Sequence, residues 1–240
     1  TGDEYVVLID DGLYPTGKAL LAKIEELAGR PADFIINTHA HGDHTGANEL
    51  LANNGAIIVA HDNLRKRMQA DENQNTGPGA LPVITFSNEV TFHVNGQEAF
   101  VFHVDSAHTD GDAAILFREA NVIAPGDIVF RGLFPFIDLD SGGSVAGYKR
   151  AMQRLIDMAD NETRFISGHG PIATRAGLET DLAMLTDAEA RVKAMLDKGM
   201  TADDIVAANP LASYHDQYNW GFITTERMTR TLIRSLTTEE

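Results

Sequence analysis

A dense cluster of metal-binding side chains follows the second apolar segment of the chain. Residues 38–44 read T-H-A-H-G-D-H, so three imidazoles and one carboxylate lie within six residues. The cluster follows the apolar run Phe34–Ile36, which predicts a buried strand, and it precedes Thr45–Leu51, which has the capping residues of a helix start. We therefore expect the cluster to lie on a strand-to-helix loop, where a rigid scaffold can present side chains to a ligand.

The spacing of these residues excludes a single helical face. His39 and His41 are two positions apart, whereas neighbours on one face of a helix are three or four apart. In a tight loop, alternate side chains can converge on one metal ion while Asp43 and His44 turn toward a second. The alternative is a surface loop that is rich in histidine, and the remaining candidate ligands in the chain argue against it.

Three later segments each carry a further candidate ligand beside a glycine at the end of an apolar run. His108 lies shortly after the strand-like run Phe100–Val104, and Asp127 lies in A-P-G-D after Val122 and Ile123. His169 lies in S-G-H-G-P after R-F-I. The chain therefore offers imidazole and carboxylate ligands at four separate places.

Taken in order, these four motifs resemble those of the metallo-β-lactamase superfamily, from about Val6 to about Ala173. The resemblance implies an α+β fold, a four-layer αββα sandwich; the pattern of apolar segments alone predicts only mixed α and β structure. We expect a single domain over residues 1–240, with a helical C-terminal part over 176–240. Strands normally precede the first turn of this fold, so we expect either that they are missing from the numbered sequence or that the sheet is shortened.

The resemblance also implies two metal ions. Zinc is the expected metal, and because the chain has no cysteine the ligands are nitrogen and oxygen only, which also admits iron or manganese. The implied ligands are His39, His41 and His108 for the first ion, Asp43, His44 and His169 for the second, and Asp127 as a bridge between them.

The implied reaction is hydrolysis of a small molecule at a carbonyl carbon, by a hydroxide that bridges the two metals. The substrate would be an ester, lactone, thioester or β-lactam, and Asp43 would be the catalytic residue that orients the hydroxide. Some β-lactamase subclasses have cysteine where Asp127 stands, so we expect at most promiscuous β-lactam hydrolysis. A phosphodiester hydrolase and an iron-dependent redox enzyme are the alternatives that the same ligands admit.

The segment after Asp127 is the candidate substrate-binding region, because the corresponding segment borders the substrate in this superfamily. Phe134 and Phe136 would form an apolar wall, and Arg131 would meet a substrate carboxylate. The alternative interpretations are that the phenylalanines belong to the core and that Arg131 is solvated.

Composition limits the partners of the protein. The net charge of −16 disfavours nucleic acid, whose binding depends on cationic contacts to phosphates. No apolar run is long enough to cross a bilayer. We therefore expect a soluble protein with a small-molecule substrate and no nucleic-acid or membrane partner. Because similar hydrolases are exported from bacterial cells, we expect a periplasmic or secreted location.

Overall fold

The computed structural model describes residues 1–70 and 77–238, and it has a mixed α and β fold with two sheets and helices. Contacts within the chain divide it into two compact units. The first comprises Thr1–Val104 with Gly111–Ala124, and the second comprises Asp105–Asp110 with Pro125–Glu240. Across the described ranges, every helix is too short or too polar to traverse a bilayer. The single domain over residues 1–240 stays a prediction.

The first unit contains a four-stranded parallel sheet in the order β1-β2-β3-β4. Successive side chains of a strand point to opposite faces, so β2 contributes to two cores. Ile35 packs with Ile24 and Leu51 in a cluster on the helical side of the sheet. Ile36 packs with Val59 in a cluster on the other side. This two-sided burial explains why β2 is apolar throughout.

An antiparallel meander of strands β5, β6 and β7, continued by the start of β8, completes the first unit. Val101 pairs with Val90 on one side and with Ile115 on the other, and Ile115 pairs with Ala124. Val101, Ile115 and Ala124 share a buried cluster with Ile36 of the parallel sheet, so within this unit the two sheets pack face to face. The elements are β1 Val7–Ile9, α1 Gly17–Ala28, β2 Phe34–Ile36, α2 Gly42–Thr45, α3 Asn48–Ala52, β3 Ile57–His61, α4 Asp62–Ala70, β4 Ile84–Phe86, β5 Glu89–Val94, β6 Gln97–His103, β7 Ala113–Phe117 and β8 Val122–Phe130.

The second unit contains the end of β8, two further strands in the order β10-β9-β8, and a set of packed helices. Helix α6 packs against α5 and α9, and α7 packs against α9. Each of three helices begins at a hydroxyl that accepts a backbone N–H: Ser144 for α5, Thr174 for α6 and Thr201 for α7. The elements are α5 Val145–Met158, β9 Arg164–His169, β10 Ala173–Thr174, α6 Arg175–Leu196, α7 Ala202–Ala208, α8 His215–Tyr218 and α9 Thr225–Thr238.

Candidate metal centre

In the first unit, the cluster of histidines lies where the sequence predicts it, on the loop after β2 and in the one-turn helix α2. His41 precedes α2 in extended conformation, and its carbonyl accepts the backbone N–H groups of His44 and Thr45. The ring centroid of His39 lies 4.8 Å from that of His41 and 4.1 Å from that of His44. The loop therefore gathers its three imidazoles in one place.

Asp10, which sequence reasoning did not identify as a site residue, holds this loop in position through hydrogen bonds. Its carboxylate accepts hydrogen bonds of 2.7 Å from the backbone N–H of Thr38, from the Thr38 hydroxyl and from Nδ1 of His44. Asp10 follows β1 and Thr38 follows β2, and because these strands are parallel neighbours their ends meet. The carboxylate thus orients a ligand that is 34 residues away in the sequence.

These hydrogen bonds determine which ring nitrogen can coordinate a metal. Nδ1 of His44 donates to Asp10, so Nε2 carries the lone pair. The Thr38 hydroxyl donates to Asp10, so at 3.0 Å its oxygen accepts from Nδ1 of His39, which again leaves the lone pair on Nε2. Donation by the non-coordinating nitrogen is the usual way in which proteins fix the tautomer of a metal-binding histidine.

Beside this loop, Asp11 is almost completely buried, and its Oδ1 accepts the backbone N–H of Ala47. Burial raises the pKa of Asp11 to about 8, against the lowering effect of the Ala47 hydrogen bond. Through this hydrogen bond the buried carboxyl anchors the start of α3.

In the second unit, two imidazoles face one oxygen of Asp127. Nε2 of His108 lies 3.5 Å from Oδ2 of Asp127, and Nε2 of His169 lies 3.4 Å from the same oxygen. Nδ1 of His108 donates to the carbonyl of Phe136 at 2.7 Å, so the lone pair of this imidazole is also on Nε2. His108 and Asp127 are both buried.

The donor types and their spacing fit a transition-metal ion. The separations around Asp127, and the 3.6 Å between Nε2 of His44 and Oδ2 of Asp43, exceed the roughly 2.7–3.2 Å of a good hydrogen bond. Two ligands at about 2.0–2.1 Å from one tetrahedral ion are about 3.3 Å apart. Each unit therefore presents nitrogen and oxygen donors at the spacing of ligands that share an ion, which suits zinc and also admits iron or manganese.

Asp127 is placed by an irregular strand, which differs from the expectation that it follows a strand. It lies inside β8, after Pro125, which lacks an N–H, and Gly126, whose φ of 54° is in the left-handed region. Such an interruption bends a strand and re-aims the next side chain. The last residue of β8 that pairs with β7 is Ala124. Pairing with β7 therefore ends just before the segment that carries Asp127.

The three predicted substrate-binding residues have different surroundings. Arg131 Nη1 donates to both carboxylate oxygens of Asp181 at 2.9 and 3.1 Å, so its charge is paired within the chain, and its contact with a substrate carboxylate stays a prediction. Phe134 is fully buried against Tyr218, so it belongs to the core. Phe136 is only partly buried, and its ring lies 5.5 Å from that of His108. Phe136 therefore borders a candidate ligand and keeps an accessible face.

Removing the carboxylate of Asp181 should strongly destabilise the protein. Asp181 is buried and also accepts from the backbone N–H of Gly132 and from the Tyr218 hydroxyl, at 3.2 Å each. Burial raises the pKa of Asp181, while the N–H of Gly132 and the charge of Arg131 oppose that rise. We expect Asp181→Ala to lower the free energy of unfolding by about 3 kcal/mol, because a cation and two donors lose their acceptor.

Urea unfolding would measure this loss. Asp197→Ala removes an exposed carboxylate that pairs with Lys193 and should cost less than about 1 kcal/mol. Equal losses in the two variants would contradict the structural role given to Asp181.

Comparisons with known proteins identify the family. The family model described as the metallo-beta-lactamase superfamily matches residues 1–169. The chain is 25% identical to the probable metallo-hydrolase YqgX of Bacillus subtilis over 177 residues, covering 70% of this chain and 82% of that protein. It is 26% identical to the probable metallo-hydrolase MJ0888 of Methanocaldococcus jannaschii over 182 residues, covering 70% and 84%.

Solved structures confirm the predicted fold class. A metallo-beta-lactamase from Pontibacter korlensis superposes with a TM-score of 0.66 at 23% identity, covering 78% of this chain and 85% of that one. The DIM-1 metallo-beta-lactamase superposes with a TM-score of 0.62 at 18% identity, covering 76% and 82%. With its histidine and aspartate metal-binding groups, the chain belongs to the metallo-beta-lactamase superfamily and is a metal-dependent hydrolase of that fold.

Proposed function

We propose that the protein is a binuclear metal-dependent hydrolase that acts on a carbonyl group of a small molecule. Asp127 carries this proposal, because a single carboxylate oxygen faces Nε2 of both His108 and His169. In the assignment that follows from the family, these two imidazoles belong to different ions, so Asp127 would bridge them. The remaining ligands would be His39 and His41 with His108, and Asp43 and His44 with His169.

When bound, two such ions would supply a hydroxide nucleophile near neutral pH and would polarise the carbonyl group of the substrate. Hydrogen bonds within the chain already orient two of the proposed ligands. Asp10 and the carbonyl of Phe136 hold His44 and His108 in the coordinating tautomer. Asp43 keeps 38% of its side chain exposed, so its carboxylate can both ligate an ion and orient a reacting group that arrives from solvent.

The substrate proposed is an ester, lactone, thioester or β-lactam, with β-lactam hydrolysis as a weak side activity. The fold of an enzyme in this superfamily implies a small-molecule substrate. Aspartate at position 127, where some β-lactamase subclasses have cysteine, supports a general hydrolase over a dedicated β-lactamase. Zinc is the proposed metal. A periplasmic or secreted location stays a prediction, which cell fractionation would test.

Metal analysis of the protein purified without chelator tests the binuclear site. We expect about two ions per chain, because seven ligands exceed what one tetrahedral ion can use. His169→Ala should retain about one ion, while the matched variant His93→Ala, which changes a 72% exposed histidine, should retain two. A stoichiometry of one that added Zn²⁺ or Mn²⁺ does not change would contradict the bridging role of Asp127.

Activity measured on the same sample separates the reaction classes. A panel of nitrocefin, a thioester, a lactone and bis(4-nitrophenyl) phosphate should show turnover chiefly with the carbonyl compounds. Turnover of the phosphodiester alone would replace the proposal by phosphodiester hydrolysis. Iron in place of zinc, with no turnover in the panel, would favour a redox enzyme.

A further inference from the structure

We propose that Phe136, Trp220 and Phe222 form an aromatic wall beside His108 and His169, and that this wall binds a flat apolar group of the substrate. The preferred substrate would then be a carbonyl compound whose acyl part carries an aromatic or similarly flat group. The choice of carbonyl compound rests on the proposed function, whereas the binding of a flat apolar group rests on the wall alone.

The rings form a continuous series from one candidate ligand to the other. The ring of Phe136 lies 5.5 Å from that of His108, and the ring of Phe222 lies 5.2 Å from that of Phe136. Trp220 is 5.7 Å from Phe222 and 5.8 Å from the imidazole of His169. These centroid distances are those of contacting aromatic pairs, so the wall is continuous with the ligands.

Hydrogen bonds fix the wall in position. Nε1 of Trp220 donates to the carbonyl of Phe134 at 2.9 Å. Arg227 donates from Nη1 to the carbonyl of Phe222 at 3.0 Å, and its guanidinium lies 4.2 Å from the centre of the Phe222 ring and 5.2 Å from that of Phe136. A cation over two aromatic faces favours this arrangement of the rings. A wall that is already ordered loses little entropy when a ligand binds.

The exposure of the rings indicates that the wall serves a ligand rather than the core. Phe222 is 47% exposed, and Phe136 and Trp220 are each partly buried, whereas the nearby Phe134 is 0% exposed. A single exposed apolar residue needs no explanation. Here three linked aromatic side chains keep accessible surface next to two candidate metal ligands, which is the composition of a small-molecule site.

The position of the wall in the sequence points to substrate choice. The family model ends at residue 169, and Trp220 and Phe222 follow it by more than one helix. The candidate ligands lie within the part of the chain that the family model matches, while Trp220 and Phe222 lie beyond it. We therefore assign specificity, rather than the shared chemistry, to these rings.

Competition between two thioesters with the same leaving group tests the wall in the full-length metal-loaded protein. For wild type we expect kcat/KM to be higher for the phenylacetyl than for the acetyl thioester of N-acetylcysteamine. Phe222→Ala should reduce this preference by on the order of five-fold, mainly through KM, since an aromatic contact is worth about 1 kcal/mol. Ile172→Ala, which shortens a 63% exposed side chain elsewhere in the second unit, should retain the preference.

Fluorescence supplies a readout that does not depend on turnover, because Trp220 is the single tryptophan of the chain. Phenylacetate should change the Trp220 emission in a saturable way, acetate should not, and Phe222→Ala should weaken phenylacetate binding by a similar factor. If phenylacetate binds through Phe222 but no carbonyl compound is hydrolysed, the proposed function fails and the wall stands. Absence of saturable phenylacetate binding, or an unchanged preference in Phe222→Ala, would overturn the wall.

Discussion

Replacing Asp43 by asparagine is expected to lower kcat by about 100-fold or more while the fold stays intact. The amide has nearly the same shape as the carboxylate but lacks its charge, so it is a poor metal ligand and cannot accept a proton. The Asp43 side chain is 38% exposed, and its Oδ2 lies 3.6 Å from Nε2 of His44. Asp43 is not among the buried residues of the chain, so we expect the loss to appear in chemistry rather than in stability.

Three measurements on Asp43→Asn would separate these effects: kcat on the best carbonyl substrate, metal content and the midpoint of thermal unfolding. We expect a large loss of kcat, reduced occupancy of the second ion and a nearly unchanged midpoint. Asp203→Asn, at a carboxylate that is 90% exposed in α7, is the matched control and should keep full kcat. Near-normal kcat with two bound ions in Asp43→Asn would remove this residue from the mechanism.

The candidate ligands could be predicted from the sequence because their signal is local. The loop of His39, His41 and His44 joins a strand to a helix, and each residue type is rare enough in that spacing to stand out. The structure gives the loop the strand-to-helix position that was expected. Local signals also set two helix boundaries: α1 ends before Gly29, which is in the left-handed region, and α5 begins after Ser144, whose hydroxyl accepts the N–H of Gly147.

The residues that support the ligands could not be predicted in the same way, because their contacts are not local. Asp10 acts on Thr38 and His44, which are 28 and 34 residues away. Only the register of β1 with β2 brings them together. The one available signal was an acidic turn at the end of an apolar strand, and turn formation alone explains that pattern equally well.

Tertiary packing also decided the roles of the residues after Asp127. Arg131 and Phe134 are residue types that are common in binding sites. In the structure, Arg131 forms an ion pair with Asp181, some 50 residues later, and Phe134 packs against Tyr218, some 84 residues later. Trp220 is likewise placed beside His169 by tertiary packing, at a separation of 51 residues in the sequence. A sequence gives the side chains that are available, whereas the pairing of distant elements decides which of them remain accessible.

Because Gly168 has no side chain, the carboxylate of Asp127 can occupy the space beside it. A Cβ atom added to Gly168 would lie 2.1 Å from Oδ1 of Asp127 and 2.9 Å from the carbonyl carbon and oxygen of Gly126. A rotation of the Asp127 side chain could relieve the first contact, but it would move the oxygen that faces His108 and His169. The second contact is with backbone, so relieving it requires a shift of β8 or β9.

Gly168→Ala is therefore expected to displace the carboxylate that we propose as a bridge and to release at least one of the two proposed ions. It should lower kcat by more than about ten-fold, a loss in the range that misplaced ligand-positioning groups cause. Metal analysis and kcat measured on the same sample would show both effects.

The matched control is Gly79→Ala, because a Cβ there would lie an ordinary 3.6 Å from the side chain of Glu49. Since the added methyl also presses on backbone, circular dichroism and thermal unfolding should establish that the variant is folded before its metal content is compared. A folded Gly168→Ala protein with two ions and full turnover would show that the position of Asp127 is not critical, and with it the bridging assignment would fail.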